Sequence, residues 1–326
     1  MSTNKIGSIE AAALICIVIA NQILLNLPEY IIKSCGSSAW LNVLLISVIA
    51  ILFTILLCKL FRVFSGKDLL DVCEFVGGKW LKIIIGICYI ALFALIAGTT
   101  LRYFVEILKL VYFKNTPLIL LLLVFLLVVV IANKVGFHAI SNMNLVVVPL
   151  VLISMLVIFF SSFKSFSFEQ LFPIFGHGVN ATFFGGLTNI FAFGGISFLY
   201  FLMPLLKSTK HFKKISVISI IISSIYLFLS VTTLLLVFSF ILDTDLTLSI
   251  YSLTRHIEYG SFFQRTDALF ILLWILLLFS YLSVMTAFCL IIFKKISNIS
   301  HSSEMTYSMA LLLFVIRSYP YESCCG

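Results

Sequence analysis

The sequence predicts an all-α membrane protein built as a bundle of about nine spanning helices. Two observations carry the prediction. The chain is 62% hydrophobic and only 10% charged, with a mean hydropathy of +1.21, whereas a soluble domain carries about 25% charged residues. The apolar residues also come in continuous runs without a period of two. That excludes a closed barrel and leaves helices, the other structure that satisfies every backbone polar group in lipid.

The hydrocarbon core is roughly 30 Å thick, so each span needs ~20 apolar residues. Suitable runs lie at 9–33, 40–61, 80–102, 116–133, 140–162, 182–206, 215–241 and 267–293. A ninth, weaker run begins near 305. From Met305 to Ile316 it covers about 18 Å at 1.5 Å per residue, less than the core. The tail beyond it carries Arg317, Pro320, Glu322 and the adjacent Cys324 and Cys325, and makes no tenth span. No stretch has the composition of a linker, so residues 1–326 read as one transmembrane domain.

Charge gives the orientation. The net charge is +8, and the basic residues form short clusters between apolar runs. With the N-terminus in the cytoplasm, most of the 21 Lys and Arg residues fall on the cytoplasmic side, as the positive-inside rule requires. The strongest anchor is the cluster Lys207, Lys210, Lys213 and Lys214 after the sixth run. No basic stripe interleaved with stacking aromatics is present, so nucleic acid is not an expected partner. The loop 62–79 places Leu69, Val72, Cys73 and Val76 on one helical face, as either a short interfacial helix or a solvated loop. The eight cysteines lack paired spacing and read as small buried hydrophobes, with no disulfide framework or zinc site.

Two spans are interrupted. The first reads Ile19-Ala20-Asn21-Gln22-Ile23-Leu24-Leu25-Asn26-Leu27-Pro28. Pro28 removes a backbone donor and clashes with the carbonyl near Leu24. The sixth contains Gly194-Gly195-Ile196-Ser197, with Pro204 further on. Each glycine costs a helix ~1 kcal/mol relative to alanine. The glycines serve either close helix packing or an unwound binding site. Breaks at matching positions of two halves point to inverted five-helix repeats with a site where the broken helices meet. The first repeat covers about 9–162 and the second, incomplete, about 182–326. This is an inverted-repeat (5+5) broken-helix transporter-like bundle with a truncated C-terminus.

Four stretches resemble the spore germination permease family, the B subunits of nutrient germinant receptors, within the amino acid–polyamine–organocation superfamily. They are Leu24-Leu25-Asn26-Leu27-Pro28, Gly77-Gly78-Lys79-Trp80, Leu171-Phe172-Pro173-Ile174-Phe175-Gly176-His177-Gly178, and the run from Gly260 through Gln264-Arg265-Thr266-Asp267 into Trp274. The resemblance spans nearly the whole chain. It departs in two places: many relatives carry Gly-x-Gly where this chain has Asn21-Gln22-Ile23, and the family has ten spans. The resemblance implies a membrane subunit that binds a small germinant in its transmembrane core, with an amino acid as the expected class. It also implies partner A and C subunits and a place in the spore inner membrane or the bacterial cell membrane. An amino-acid secondary transporter would have the same fold and site.

The chemistry is that of binding. The five histidines fall in loops or helix ends without metal spacing, and Glu29, Glu106 and Asp267 lie near span ends. No enzyme, metal or cofactor constellation is recognisable. The candidate ligand residues are therefore amides, hydroxyls and backbone: Asn21, Gln22 and Asn26 in the first span, with Gly194, Gly195 and Ser197 in the sixth. Thr99, Thr100 and Tyr103 of the third span and Tyr281 and Ser283 of the eighth either face the same cavity or have local roles. For the threonines that role is back-bonding to their own helix, and for the tyrosines it is packing at the interface. Pro28, Pro204, Arg265 and Asp267 are assigned to structure or coupling, the last two as an anchoring pair at the outer mouth of the eighth span.

Overall fold

A computed structural model describes residues 5–238, 253–254, 266–297 and 305–318. It is helical throughout, with one isolated β-bridge and no strand among the described residues. The elements are α1 (Ser8–Leu24), α2 (Leu27–Cys35), α3 (Ala39–Val63), α4 (Leu69–Val111), α5 (Leu118–Val135), α6 (Phe137–Ser161), α7 (Val179–Phe183), a 3₁₀ segment (Gly185–Phe198), α8 (Leu199–Leu202), α9 (Phe212–Val237), α10 (Thr266–Ser297) and α11 (Met305–Ser318). Seven of the described helical stretches are long and apolar enough to cross a membrane, and Ser8–Leu24 and Met305–Val315 are shorter apolar helices. The chain is an integral membrane protein of the all-α class.

The described residues group into two compact units. One draws on Lys67–Met143 and Leu278–Gly326, the other on Lys5–Gly66 and Asn144–Leu277. The third and fourth predicted spans thus share a unit with most of the eighth and with the ninth. The first and second share the other with the sixth and seventh.

In the first unit, Leu69–Gly77 is a short helix, as the amphipathic pattern of 62–79 allows. Asp68 caps it by accepting from the Asp71 N–H at 3.0 Å, and the Asp71 carboxylate accepts the Asp68 N–H at 3.1 Å. Gly78, at φ 72° and ψ −169°, breaks the helix before the span begins. Lys295 on α10 reaches both carboxylates, at 2.7 Å to Asp68 and 2.6 Å to Asp71. Burial pushes the Asp68 carboxyl up, against the pull of Lys295.

The third span runs past Arg102, where the apolar run ends, to Val111. Arg102 pairs with Glu106 at 2.8 Å across one helical turn, so the charges sit on a continuing helix instead of ending it. α11 packs on α4 and α5, where Lys134 of α5 donates to the Tyr307 hydroxyl and sits 4.1 Å from its ring centroid. Phe125 stacks on Phe279 and meets Phe104 edge-on. In the second unit, α9 packs against both α1 and α3, and Phe61 of α3 touches the rings of Tyr200 and Phe212.

Candidate functional site

The two interrupted spans lie against each other within the second unit. α1 ends at Leu24 with its last bond from the Leu25 N–H to Asn21 O, and α2 starts with Tyr30 N–H to Asn26 O. Leu25 and Asn26 are the break. Pro28 stands in the first turn of α2, where a missing N–H costs nothing, so it starts the second half-helix and does not kink a continuous one.

The sixth span is 3₁₀ over 14 residues and is interrupted at Phe193 (φ −93°, ψ 24°), where two shorter helices meet. With three residues per turn, side chains at i and i+3 eclipse. The glycine pairs Gly185-Gly186 and Gly194-Gly195 stand on either side of this interruption, and in each the first glycine is exposed and the second buried. One member of each pair therefore falls on each face. Gly185, Thr188, Phe191 and Gly194 are exposed, and nothing lies within 4 Å of where a Gly194 Cβ would be. On the other face, a Gly195 Cβ would stand 2.7 Å from Ile19 Cγ1, and a Gly186 Cβ 2.1 Å from Asn42 Nδ2. Gly195 thus serves the close approach of α1, while Gly194 stands in the open.

Both ends of this pair are tied. At one end the backbone of Ile6 bridges the end of the sixth span, donating to Leu205 O at 2.8 Å and accepting from the Lys207 N–H at 3.0 Å. Pro204 begins the 3₁₀ turn Met203–Leu205 that presents this edge. At the other end, a buried polar lattice joins the α2–α3 turn to residues 173–189. Ser38 Oγ and Thr182 Oγ1 share a hydrogen bond of 2.7 Å. Asn42 Nδ2 donates to Thr182 O at 2.9 Å, and Asn189 Nδ2 donates to Asn42 Oδ1 at 2.9 Å and to Ser34 Oγ at 3.0 Å. Ser37 Oγ donates to Pro173 O, and the His177 N–H to Cys35 O at 3.3 Å. His177 sets its ring over Gly36 but is exposed in a turn, as expected for a loop histidine.

The other candidates are distributed as follows. Asn21 is wholly buried and neither amide atom has a hydrogen-bond partner. Gln22 and Asn26 are half-buried, and Ser197 Oγ donates to Gly194 O at 2.6 Å. Thr99, Thr100, Tyr103, Tyr281 and Ser283 all belong to the first unit. Thr99 Oγ1 donates to Leu95 O and Ile96 O, the local back-bond open to it from sequence. Thr100, Tyr281 and Ser283 are buried. Arg265 lies outside the described residues; Asp267 falls in α10, with its side chain outside them. The lattice residues Ser34, Ser38, Asn42, Thr182 and Asn189 were missed. Their signal was the placement of Asn42 near the start of an apolar run and Asn189 within another.

This geometry defines a helical membrane protein with two interrupted spans in contact. Residues 5–323 match the spore germination permease family, described as spore germination protein, and the chain belongs to that family. It is 25% identical to spore germination protein B2 of Bacillus subtilis (strain 168) over 276 residues, 84% of this chain and 74% of that relative. Spore germination protein A2 of the same organism is 22% identical over 98% of this chain and 88% of its own length. Spore germination protein KB is 24% identical over 86% of this chain and 76% of its own.

Proposed function

We propose that the chain is the membrane subunit of a spore nutrient germinant receptor. It binds a small germinant of the amino-acid class at the interrupted spans and passes the change to partner A and C subunits. The observation that carries this reading is the pairing of α1–α2 with the 3₁₀ segment, tied at both ends and interrupted between. Binding would act on the interrupted middles while the ties hold the ends. A ligand needs only a difference in affinity between two conformers to shift their balance. Asn21, Gln22 and Asn26, with Gly194 and Ser197 on the open side of the 3₁₀ segment, are the proposed contacts. Family membership supports the role in germination, and the two-unit grouping of corresponding spans supports the inverted repeat.

The N-terminus is assigned to the cytoplasm. The backbone pairing of Ile6 with Lys207 and the charge bias support an N-terminus on the side of the Lys207–Lys214 cluster.

Gly194→Leu tests the reading. It places a side chain in open space, so the protein should be produced and assembled normally while the germination response is lost. A normal response would refute a ligand site there. Uptake of radiolabelled amino acids into vesicles by the chain alone would instead favour a transporter.

A further inference from the structure

We infer that the start of the third span carries a binding site for anionic phospholipid, in which Lys67 and Lys79 hold the headgroup and Phe75, Val76 and Trp80 enter the acyl boundary beneath it. The site does not rest on the receptor reading above.

Gly77-Gly78-Lys79-Trp80 forms a corner. Gly78, at φ 72°, turns the chain from the short helix Leu69–Gly77 into the span. A Gly77 Cβ would stand 2.9 Å from Leu81 Cβ, so the corner is tight. The side chains it throws outward are apolar and basic. Phe75 is 74% exposed, Val76 73% and Trp80 79%. Lys67 and Lys79 are exposed beside them. An open apolar patch rimmed by charge marks an interaction surface.

The occupant follows from what adjoins the patch. From Trp80 the exposure continues along one face of the span at helical spacing, through Ile84 and Ile87, each more than half exposed. In a spanning helix such a stripe faces acyl chains. The bilayer surface therefore reaches Trp80, at the level where tryptophan and lysine anchor a span.

Charge selects the lipid. Residues 67–82 hold three carboxylates, and each is engaged. Asp68 and Asp71 hold Lys295 at 2.7 and 2.6 Å, and Glu74 holds Lys82 at 2.8 Å. Lys67 and Lys79 have no ion-pair partner among the described residues. Lys67 Nζ stands 5.9 Å from the Phe75 ring centroid, within cation–π range. The open charge at the corner is thus positive and borders the open apolar surface. An anionic bilayer presents both partners at once: phosphates for the ammonium groups and acyl chains for the rings. The corner lies on the side assigned to the cytoplasm, where the bilayer surface carries anionic lipid.

The test uses the full chain in phosphatidylcholine nanodiscs containing a small share of brominated phosphatidylglycerol or brominated phosphatidylcholine. Bromine quenches tryptophan on contact, and comparison with Trp80→Phe isolates the Trp80 signal. Trp80 should be quenched at a much lower share of brominated phosphatidylglycerol than of brominated phosphatidylcholine. Lys67→Gln with Lys79→Gln should remove that preference, by roughly fivefold per lysine, the factor equivalent to ~1 kcal/mol for each basic side chain near an anionic surface. Arginine at both positions should keep it. Lys109→Gln with Lys114→Gln, which removes the same charge at the other end of the span, should leave it unchanged. Equal quenching of the wild type by the two lipids would overturn the inference, as would quenching by neither, the result expected if protein covers the corner. Equal loss in the Lys109 and Lys114 variant would assign the preference to net charge and overturn the site. Inorganic phosphate in place of chloride at constant ionic strength should have no effect, and abolition of the preference by it would show a site for free phosphate and overturn the lipid assignment.

Discussion

Gly194 and Gly195 are adjacent, yet alanine at each should have opposite effects. At Gly195 the new methyl would stand 2.7 Å from Ile19 Cγ1, 3.2 Å from Ile19 Cδ1 and 3.5 Å from Ile15 O. Carbon atoms pack best at about 3.5–4.0 Å, so the overlap is on the order of 1 Å. Ile19 is wholly buried and β-branched, which leaves it few rotamers in a helix through which to withdraw. Overpacking of this kind costs about 1–3 kcal/mol, offset by roughly 0.5–1 kcal/mol from the backbone entropy that glycine no longer loses. The net expectation for Gly195→Ala is a loss of about 1–2 kcal/mol, read as a thermal midpoint several degrees lower in detergent. At Gly194 no atom lies within 4 Å, so only the entropy gain remains and the midpoint should stay or rise. Gly195→Ala should cost much less in an Ile19→Ala background than alone, because the two changes act on one contact. Equal effects at the two glycines, or additivity of Gly195→Ala with Ile19→Ala, would refute the assignment of the two glycines to opposite faces.

Three further outcomes are expected. Asn42→Leu removes the bonds to Thr182 O and Asn189 inside a buried lattice, and should cost about 2–4 kcal/mol from the partners left unpaired; Asn42→Gln should recover little, and thermal unfolding measures both. Lys295→Met leaves Asp68, already pushed up by burial, without its counter-charge. The loss should be about 2 kcal/mol near neutral pH, between the exposed and buried limits. Because the raised carboxyl takes up a proton as pH falls, the deficit should shrink in acid, and unfolding midpoints compared across pH will show a constant deficit if the idea is wrong. Finally, Thr209→Cys should resist an impermeant thiol reagent in intact cells and react after permeabilisation, and labelling from outside would invert the assigned topology.

Several features were legible from residue types alone. The apolar runs located the spans, because a membrane demands length and hydrophobicity whatever the neighbours are. Pro28 marked the break to within a few residues, and the pattern at 69, 72, 73 and 76 marked the short helix before Gly78. Local charge misled once. Arg102 ended the apolar run, but its partner Glu106 one turn on lets the helix continue to Val111. The candidate site was only partly legible. Asn21 and the tandem glycines stood out in apolar surroundings, whereas Asn42 and Asn189 carry no local sign that they meet each other.

The sequence by itself determined that this chain lives in a membrane, roughly where it crosses, and that its first and sixth spans cannot be regular helices. Those properties follow from composition and backbone chemistry, which act within a few residues. The tertiary structure decided which face each glycine serves, since that depends on which of them meets Ile19 of α1 and Asn42 of α3. It also decided which polar side chains find partners. Asn42 and Asn189 meet across 147 positions of sequence, while Asn21 and Asn144 are buried without partners, and no local pattern distinguishes the two pairs.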